Sequence, residues 1–228
     1  MTDTMDGTPR IEVSEKDTLA DRIYHDIKRR ILEGGIASGE SLSENQLAAE
    51  AGASRTPLRV ALARLEQEGV IARLANGTLA VQPVTVEQLL NIVQLRRLLE
   101  GAAAARAAEM ARSAGLHPAL VAVKEVTETY ANGKATAFDE FWKHDDAFHT
   151  AVAQAAGLTL WPTMLAELRE TARRCTITRT HDRFTEQARE HLAVIAAIEA
   201  GDAEGARAAM EAHFASVRTR FLDWLARP

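Results

Sequence analysis

The chain has 228 residues, 26% of them charged and 46% hydrophobic, with a formal net charge of −5. That length holds one large domain or two modest ones, the negative balance argues against broad binding of polyanions, and no run of about 18 apolar residues is present to span a bilayer. The single cysteine, Cys175, excludes an intrachain disulfide framework and fits a reducing cytoplasm, where it reads as a small, semi-buried filler.

Residues 1–16 are polar and acidic, with neither the basic start nor the apolar centre of a signal peptide, and read as a disordered tail. Over 17–34, Leu19, Ile23, Ile27 and Ile31 recur every fourth residue, which predicts an amphipathic helix stopped by Gly34-Gly35. "GIASGESL" reads as a turn. Ser43 and Gln46 fit a capping box opening a short second helix that Gly52 ends. A third helix starts within "ASRTPLRVALARLEQEG", with Pro57 in its first turn, Leu58, Leu62 and Leu65 as its buried stripe and Gly69 as its stop. "VIARLANGTLAV" predicts two short strands around Asn76-Gly77. Gln82-Pro83 looks like the exit from this unit.

From Thr85 onward no strand pattern follows. A Thr85/Gln88 capping box opens a long helix to about Ser113, and further helices are expected over 118–131, 136–156, 160–178, 185–200 and 202–226, the last capped by Asp202. The fold class is therefore mainly α. A winged helix-turn-helix over 17–83 precedes an all-α antiparallel bundle over 84–228.

In a winged helix-turn-helix the third helix enters the major groove N-terminus first, so its opening residues should be donors. Ser54, Arg55, Thr56 and Arg59 meet that requirement, with the two arginines one turn apart on one face. No acid lies between Glu50 and Glu66, so the stretch holding Arg55, Arg59 and Arg64 is locally positive although residues 1–82 carry 10 Lys/Arg against 13 Asp/Glu. A solvated basic helix in a small three-helix domain is the plainer alternative.

In the helix expected at 136–156, Asp145 and His149 fall on the apolar stripe of Phe138, Trp142, Val152 and Ala156. His191 shares a face with Leu192, Ile195 and Ile198, and His213 sits among Ala209, Met210, Val217 and Phe221. Four polar groups thus interrupt three buried stripes. Burying each alone would cost kilocalories, whereas converging on one divalent cation satisfies them all. Asp plus three imidazoles suits Zn²⁺ first, with Ni²⁺, Co²⁺ or Mn²⁺ as alternatives. His25, His117, His144 and His181 lie off this pattern, His144 off the stripe and His181 in a loop. In "IVQLRRLLEGAAAA", Arg96 and Glu100 share a stripe with Leu89, Val93 and Ala103. Two readings stand equal: an interhelical salt bridge, or an Arg96 that faces the pocket and binds a carboxylate beside the metal.

Residues 18–82, with "SRTPLR.AL.RLE.EG" as their core, resemble the DNA-binding domain of GntR-family transcription regulators. The resemblance implies that Arg55 and Arg59 contact operator bases and phosphates and that Thr56 assists. The family often has arginine where Asn45 stands and glutamate where Val60 stands; the wing keeps Gly77 but lacks a basic residue at its tip. Residues 85–226 are similar to the FCD domain of the FadR subfamily, through "RRLLE", "DDAFH" and "EHLAVIAAIEAGDAEGARAAMEAHF". That similarity implies Asp145, His149, His191 and His213 as metal ligands and a pocket for a small organic acid, although Leu158 stands after Gly157 where the family often has Asn. It also implies a homodimer on a palindromic double-stranded operator, with Arg96 and Glu100 at the effector pocket and effector binding lowering operator affinity, as in a repressor. Two other readings remain: a sensor of the metal itself without an organic effector, and a metal-dependent hydrolase or lyase fused to a DNA-binding module. The second lacks a general base on the same stripes, although Glu140 and Asp146 lie near in sequence, and lacks any nucleophile or phosphate-cradle signature.

Overall fold

The computed structural model describes residues 17–175 and 183–226. The expectations of a tail over 1–16, of the end of the 160–178 helix and of a loop around His181 lie outside the described residues. The chain forms two compact units that divide between Pro83 and Val84.

In the first unit, α1 (Leu19–Leu32) is opened by Thr18, whose hydroxyl accepts from the Asp21 amide while the Asp21 carboxylate returns to the Thr18 backbone. Ile23, Tyr24, Ile27 and Ile31 face the core, whereas Leu19, at the head of the expected stripe, is exposed because it sits on the first turn beyond the packed surface. The segment expected as a plain turn contains a strand, β1 (Ser41–Leu42). It pairs antiparallel with β3 (Leu79–Val81), which also pairs with β2 (Ile71–Arg73), so the sheet has the order β1-β3-β2. A two-residue strand carries no periodicity to read, and its partner lies almost 40 residues away.

α2 (Glu44–Glu50) has half of its expected capping box: Ser43 accepts from the Gln46 amide at 3.4 Å, but the Gln46 side chain donates to Glu50 instead. α3 (Arg55–Gln67) buries Leu58, Ala61, Leu62 and Leu65 against α1 and the sheet and leaves its first turn in solvent.

The second unit holds six helices among the described residues: α4 (Val86–Ala114), α5 (Pro118–Ala131), α6 (Phe138–Ala155), α7 (Trp161–Arg173), α8 (Phe184–Glu199) and α9 (Ala203–Leu225). The Thr85/Gln88 capping box starts α4, and Asp202 caps α9 by accepting from the Gly205 amide. Alanines 103, 104, 107 and 108 give α4 a smooth face on which α6, α8 and α9 close. Phe148, Val152, Ile195, Ile198, Met210 and Phe214 fill the space between. No described helix is long and apolar enough to cross a membrane.

The α8–α9 corner depends on Gly201, which has φ +69° and whose missing Cβ would stand 2.6 Å from Arg112 Cγ. The Arg112 guanidinium donates to the Gly201 carbonyl at 2.7 Å. Gly201→Ala is expected to destabilise the bundle by more than the ~1–2 kcal/mol that left-handed backbone costs a residue with a Cβ. Gly157→Ala, at φ +67° in the matching turn after α6 with nothing within 4 Å of its Cβ position, should show the backbone part alone. Urea unfolding of the two variants separates the terms.

Candidate metal centre and nucleic-acid interface

The exposed start of α3 gathers the residues expected to meet DNA. Ser54 is the N-cap, and its hydroxyl makes no capping bond. Arg55, Thr56 and Arg59 are all exposed. The two arginines are steadied from α2: Arg55 Nη2 donates to Asn45 Oδ1 at 3.1 Å, and Arg59 Nε lies 3.4 Å from Glu44 Oε2. Glu44 therefore dilutes the positive field that the acid-free run of α3 implied. Arg64 belongs elsewhere: it lies over the Tyr24 ring at 3.8 Å and pairs with Asp21 and Glu68, which ties α3 to α1.

At the wing, Gly77 takes φ +82° and the Thr78 amide donates to Asn76 Oδ1, closing the turn. The tip is less bare than "ANGTLAV" implied. Arg73, four residues earlier, reaches across to donate to the Gly77 carbonyl at 2.9 Å and brings a guanidinium to the wing.

In the second unit α6, α8 and α9 bring His149, His191 and His213 together, each 1% exposed or less, with one ring nitrogen from each lying within 4.8 Å of the others. Asp145 reaches two of them: its Oδ1 is 3.6 Å from His149 Nε2 and 3.5 Å from His191 Nε2. Ligand atoms held about 2.0–2.1 Å from a tetrahedral cation lie roughly 3.4 Å from one another, so these separations suit a shared ion.

The far sides of two rings are clamped by carboxylates. Glu100 of α4 pairs with His149 Nδ1, and Glu190 of α8 pairs with His213 Nδ1 at 2.8 Å. Both arrangements fix a ring and turn its Nε2 inward, as carboxylates behind metal-bound histidines do. His191 differs. It stacks on Phe148 with centroids 3.8 Å apart, and neither of its ring nitrogens has a hydrogen-bond partner although the residue is fully buried. Such an orphan costs free energy unless something occupies it. The donor set fits a divalent cation.

Titration favours the same chemistry. Burial, and then the neighbouring His213, hold the His191 imidazole well below the ordinary range, so it is a neutral donor. Burial likewise lowers His213 against the pull of Glu190. Burial opposes charge on His149 too, but Glu100 and Asp145 outweigh it and raise that ring. Desolvation would raise the Glu100 carboxyl, yet His149 and Arg96 bring it down to about 2. The Glu190 carboxyl, held by His213 and Arg220, also falls to about 2.

Arg96 resolves the two readings of its stripe in an unexpected way. Its salt bridge is with Glu100 on its own helix, at 2.8 Å, not between helices, and its side chain also lines a cavity of about 40 Å³ beside Asp145, His149 and His213. The bridge between helices runs instead through the other Glu100 oxygen to His149.

Three participants escaped the sequence reading. Glu190 looked like an ordinary exposed acid beside His191, Arg220 lies two turns beyond His213, and Gln187, whose amide donates to Asp145 Oδ1, stands one turn before His191. Helical spacing from a histidine was the signal available for the last two. His144, set aside as off the stripe, is buried at 8% exposure and bonds Thr127 Oγ1 at 2.9 Å, because α6 packs on α5 as well as on the centre. His25 and His117 are exposed, and His117 caps α5.

A three-stranded wing on a helix-turn-helix, followed by an all-α domain, defines a winged-helix DNA-binding protein with a separate helical module. Residues 19–81 match the model for bacterial regulatory proteins of the gntR family, and residues 91–216 match the FCD domain. The chain belongs to the GntR family of DNA-binding transcriptional regulators and carries an FCD domain, a domain that in this family can bind metal. It is 31% identical to a protein of Escherichia coli assigned as the L-lactate dehydrogenase operon regulator, over 89% of this chain and 84% of that protein. It is 27% identical to the E. coli transcriptional repressor RspR, over 86% of each. Among solved structures, E. coli McbR/YncC shares the fold with a TM-score of 0.69 at 21% identity, covering 92% of this chain and 99% of that one. Family and relatives are transcriptional regulators, not enzymes.

The carboxylate clamps predict an acid limit. Glu100 titrates near 2 in the fold against about 4.3 in an unfolded chain. Its contribution is therefore complete above about pH 4.5 and is lost as pH falls towards 2. Glu100→Gln should cost about 3 kcal/mol or more at pH 7, since it leaves the buried Arg96 guanidinium without its carboxylate. The slope of stability against pH in that acid window should become shallower, with Glu190 retaining its share. Urea midpoints measured from pH 7 down to 3 check both.

Proposed function

We propose that the chain is a cytoplasmic, homodimeric repressor whose affinity for a palindromic operator is lowered by a small carboxylate bound at a divalent metal ion in the FCD domain. The observation that carries the reading is His191: a buried imidazole neither of whose nitrogens makes a hydrogen bond, set between two other imidazoles whose outer nitrogens are already clamped. Asp145, His149, His191 and His213 hold the ion. Zn²⁺ is the first candidate for three imidazoles and one carboxylate, with Ni²⁺, Co²⁺ and Mn²⁺ following. The ion supplies a Lewis-acidic anchor for the effector's oxygen atoms. Arg96 offers the carboxylate a charged donor, and Glu100 orients both Arg96 and His149. The relatives named for repression and for a lactate operon support the direction of control and an organic-acid signal.

At the operator, Arg55 and Arg59 meet base edges and phosphates from the start of α3, while Ser54 and Thr56 add hydroxyl contacts. Asn45 sets the position of Arg55, and the Gly77 turn brings the wing to the backbone. A two-fold dimer places two such helices on half-sites about one helical turn apart.

The two functions separate by mutation. With DNA selected by the wild-type protein from a random pool, Arg55→Ala is expected to weaken binding by ~1–3 kcal/mol, roughly 5- to 150-fold, measured by fluorescence anisotropy. Metal binding, measured by calorimetry, should not change. His149→Ala should abolish metal and effector binding and leave operator affinity of the metal-free protein within about twofold. Loss of operator binding in a folded His149→Ala protein would contradict the scheme. If metal alone, without any acid, toggles operator binding, the protein reads the metal itself.

A further inference from the structure

The cavity beside the imidazoles restricts its ligand by charge and by wall. The charge argument rests on the divalent ion proposed above. With the bound imidazoles neutral, Arg96 offsets Glu100 in contact at 2.8 Å, and Arg220 offsets Glu190 through two bonds of 2.8 and 3.0 Å. Asp145 then faces a doubly charged cation, which leaves one uncompensated positive charge. A single carboxylate cancels it. A second carboxylate would leave a negative charge without a partner among the aromatic rings that line the cavity, which is unfavourable. Arg96 Nη2, buried and without a partner, is a donor waiting on the same wall.

The rest of the wall is hydrocarbon. Five of the protein's six phenylalanines, 138, 141, 184, 214 and 221, line the cavity together with Trp142. Phe138 and Trp142 pack at 5.4 Å between ring centroids, and Phe141 and Phe184 stack at 4.4 Å. Ligand hydroxyls turned to these rings would lose their hydrogen bonds to water without replacement, whereas methylenes gain from leaving water.

We infer that the effector is an alkyl monocarboxylate, its carboxylate between the metal ion and Arg96 Nη2 and its alkyl tail against the phenylalanine and tryptophan rings. Dicarboxylates are disfavoured by charge and polyhydroxy acids by the wall.

Calorimetry tests this in two stages on the full chain, first Zn²⁺ into the metal-free protein and then acids into the Zn²⁺-loaded protein. From acetate to propanoate to butanoate, affinity should rise about fourfold per methylene. Succinate, with the chain length of butanoate and a second charge, should bind at least about a hundredfold more weakly, and gluconate should give no heat. Phe138→Ser, at a half-buried ring, should bring the increment per methylene towards one without changing Zn²⁺ affinity; Trp142→Ser repeats the measurement should the first variant fold poorly. Succinate or gluconate binding more tightly than butanoate, a flat alkyl series, or no acid binding to a Zn²⁺-loaded protein overturns the inference and leaves the metal centre standing. Failure of Zn²⁺ to bind overturns both.

Discussion

Polar groups buried in a helical bundle must meet each other, and the FCD unit is organised by that requirement. Two carboxylates, Glu100 and Glu190, each hold one imidazole on one side and one guanidinium on the other. Each chain of three groups neutralises its own charge and fixes its own geometry. Removing water from these groups is expensive, so the clamps set orientation more than they add stability. Around them the apolar contacts of α4, α8 and α9 supply the stability, and the alanines of α4 bring the helices close enough for one carboxylate to reach a neighbouring helix.

The front unit solves a different problem, in water. Arg55 and Arg59, proposed to meet the operator, are long side chains with much rotamer freedom to lose. Asn45 and Glu44 hold both arginines beside α2. Exposed contacts of this sort are individually worth little, but they narrow the positions from which each arginine starts. Asn45 matters here as an uncharged acceptor: an arginine in its place would set two like charges side by side. Arg64 illustrates the opposite use of the same residue type, stacked on Tyr24 and paired with Asp21 and Glu68 where it cements the domain.

Much of this was readable from spacing. Strong periodicity and capping residues located the helices, because both signals are local. The histidines stood out for a simple reason: a polar residue on an apolar stripe is costly, so its presence needs a partner. What escaped depended on contacts between distant segments. Strand β1 exists only because Leu79 and Ala80 pair with it. Glu190 and Arg220 lie on half-exposed flanks where charged residues are ordinary, and only the packing of α8 on α9 reveals Glu190 as the partner of both His213 and Arg220. Arg96 misled in part because its salt bridge closes within its own helix while its side chain also lines the cavity.

His191 lacks the carboxylate brace given to its two companions and rests on a face-to-face stack with Phe148. Stacking tolerates small sliding and tilting that a charged hydrogen bond does not. In the proposed metal centre this ring would therefore be the donor that adapts to the radius of the ion and the first to detach, and the packing of one phenylalanine would set how long the ion stays.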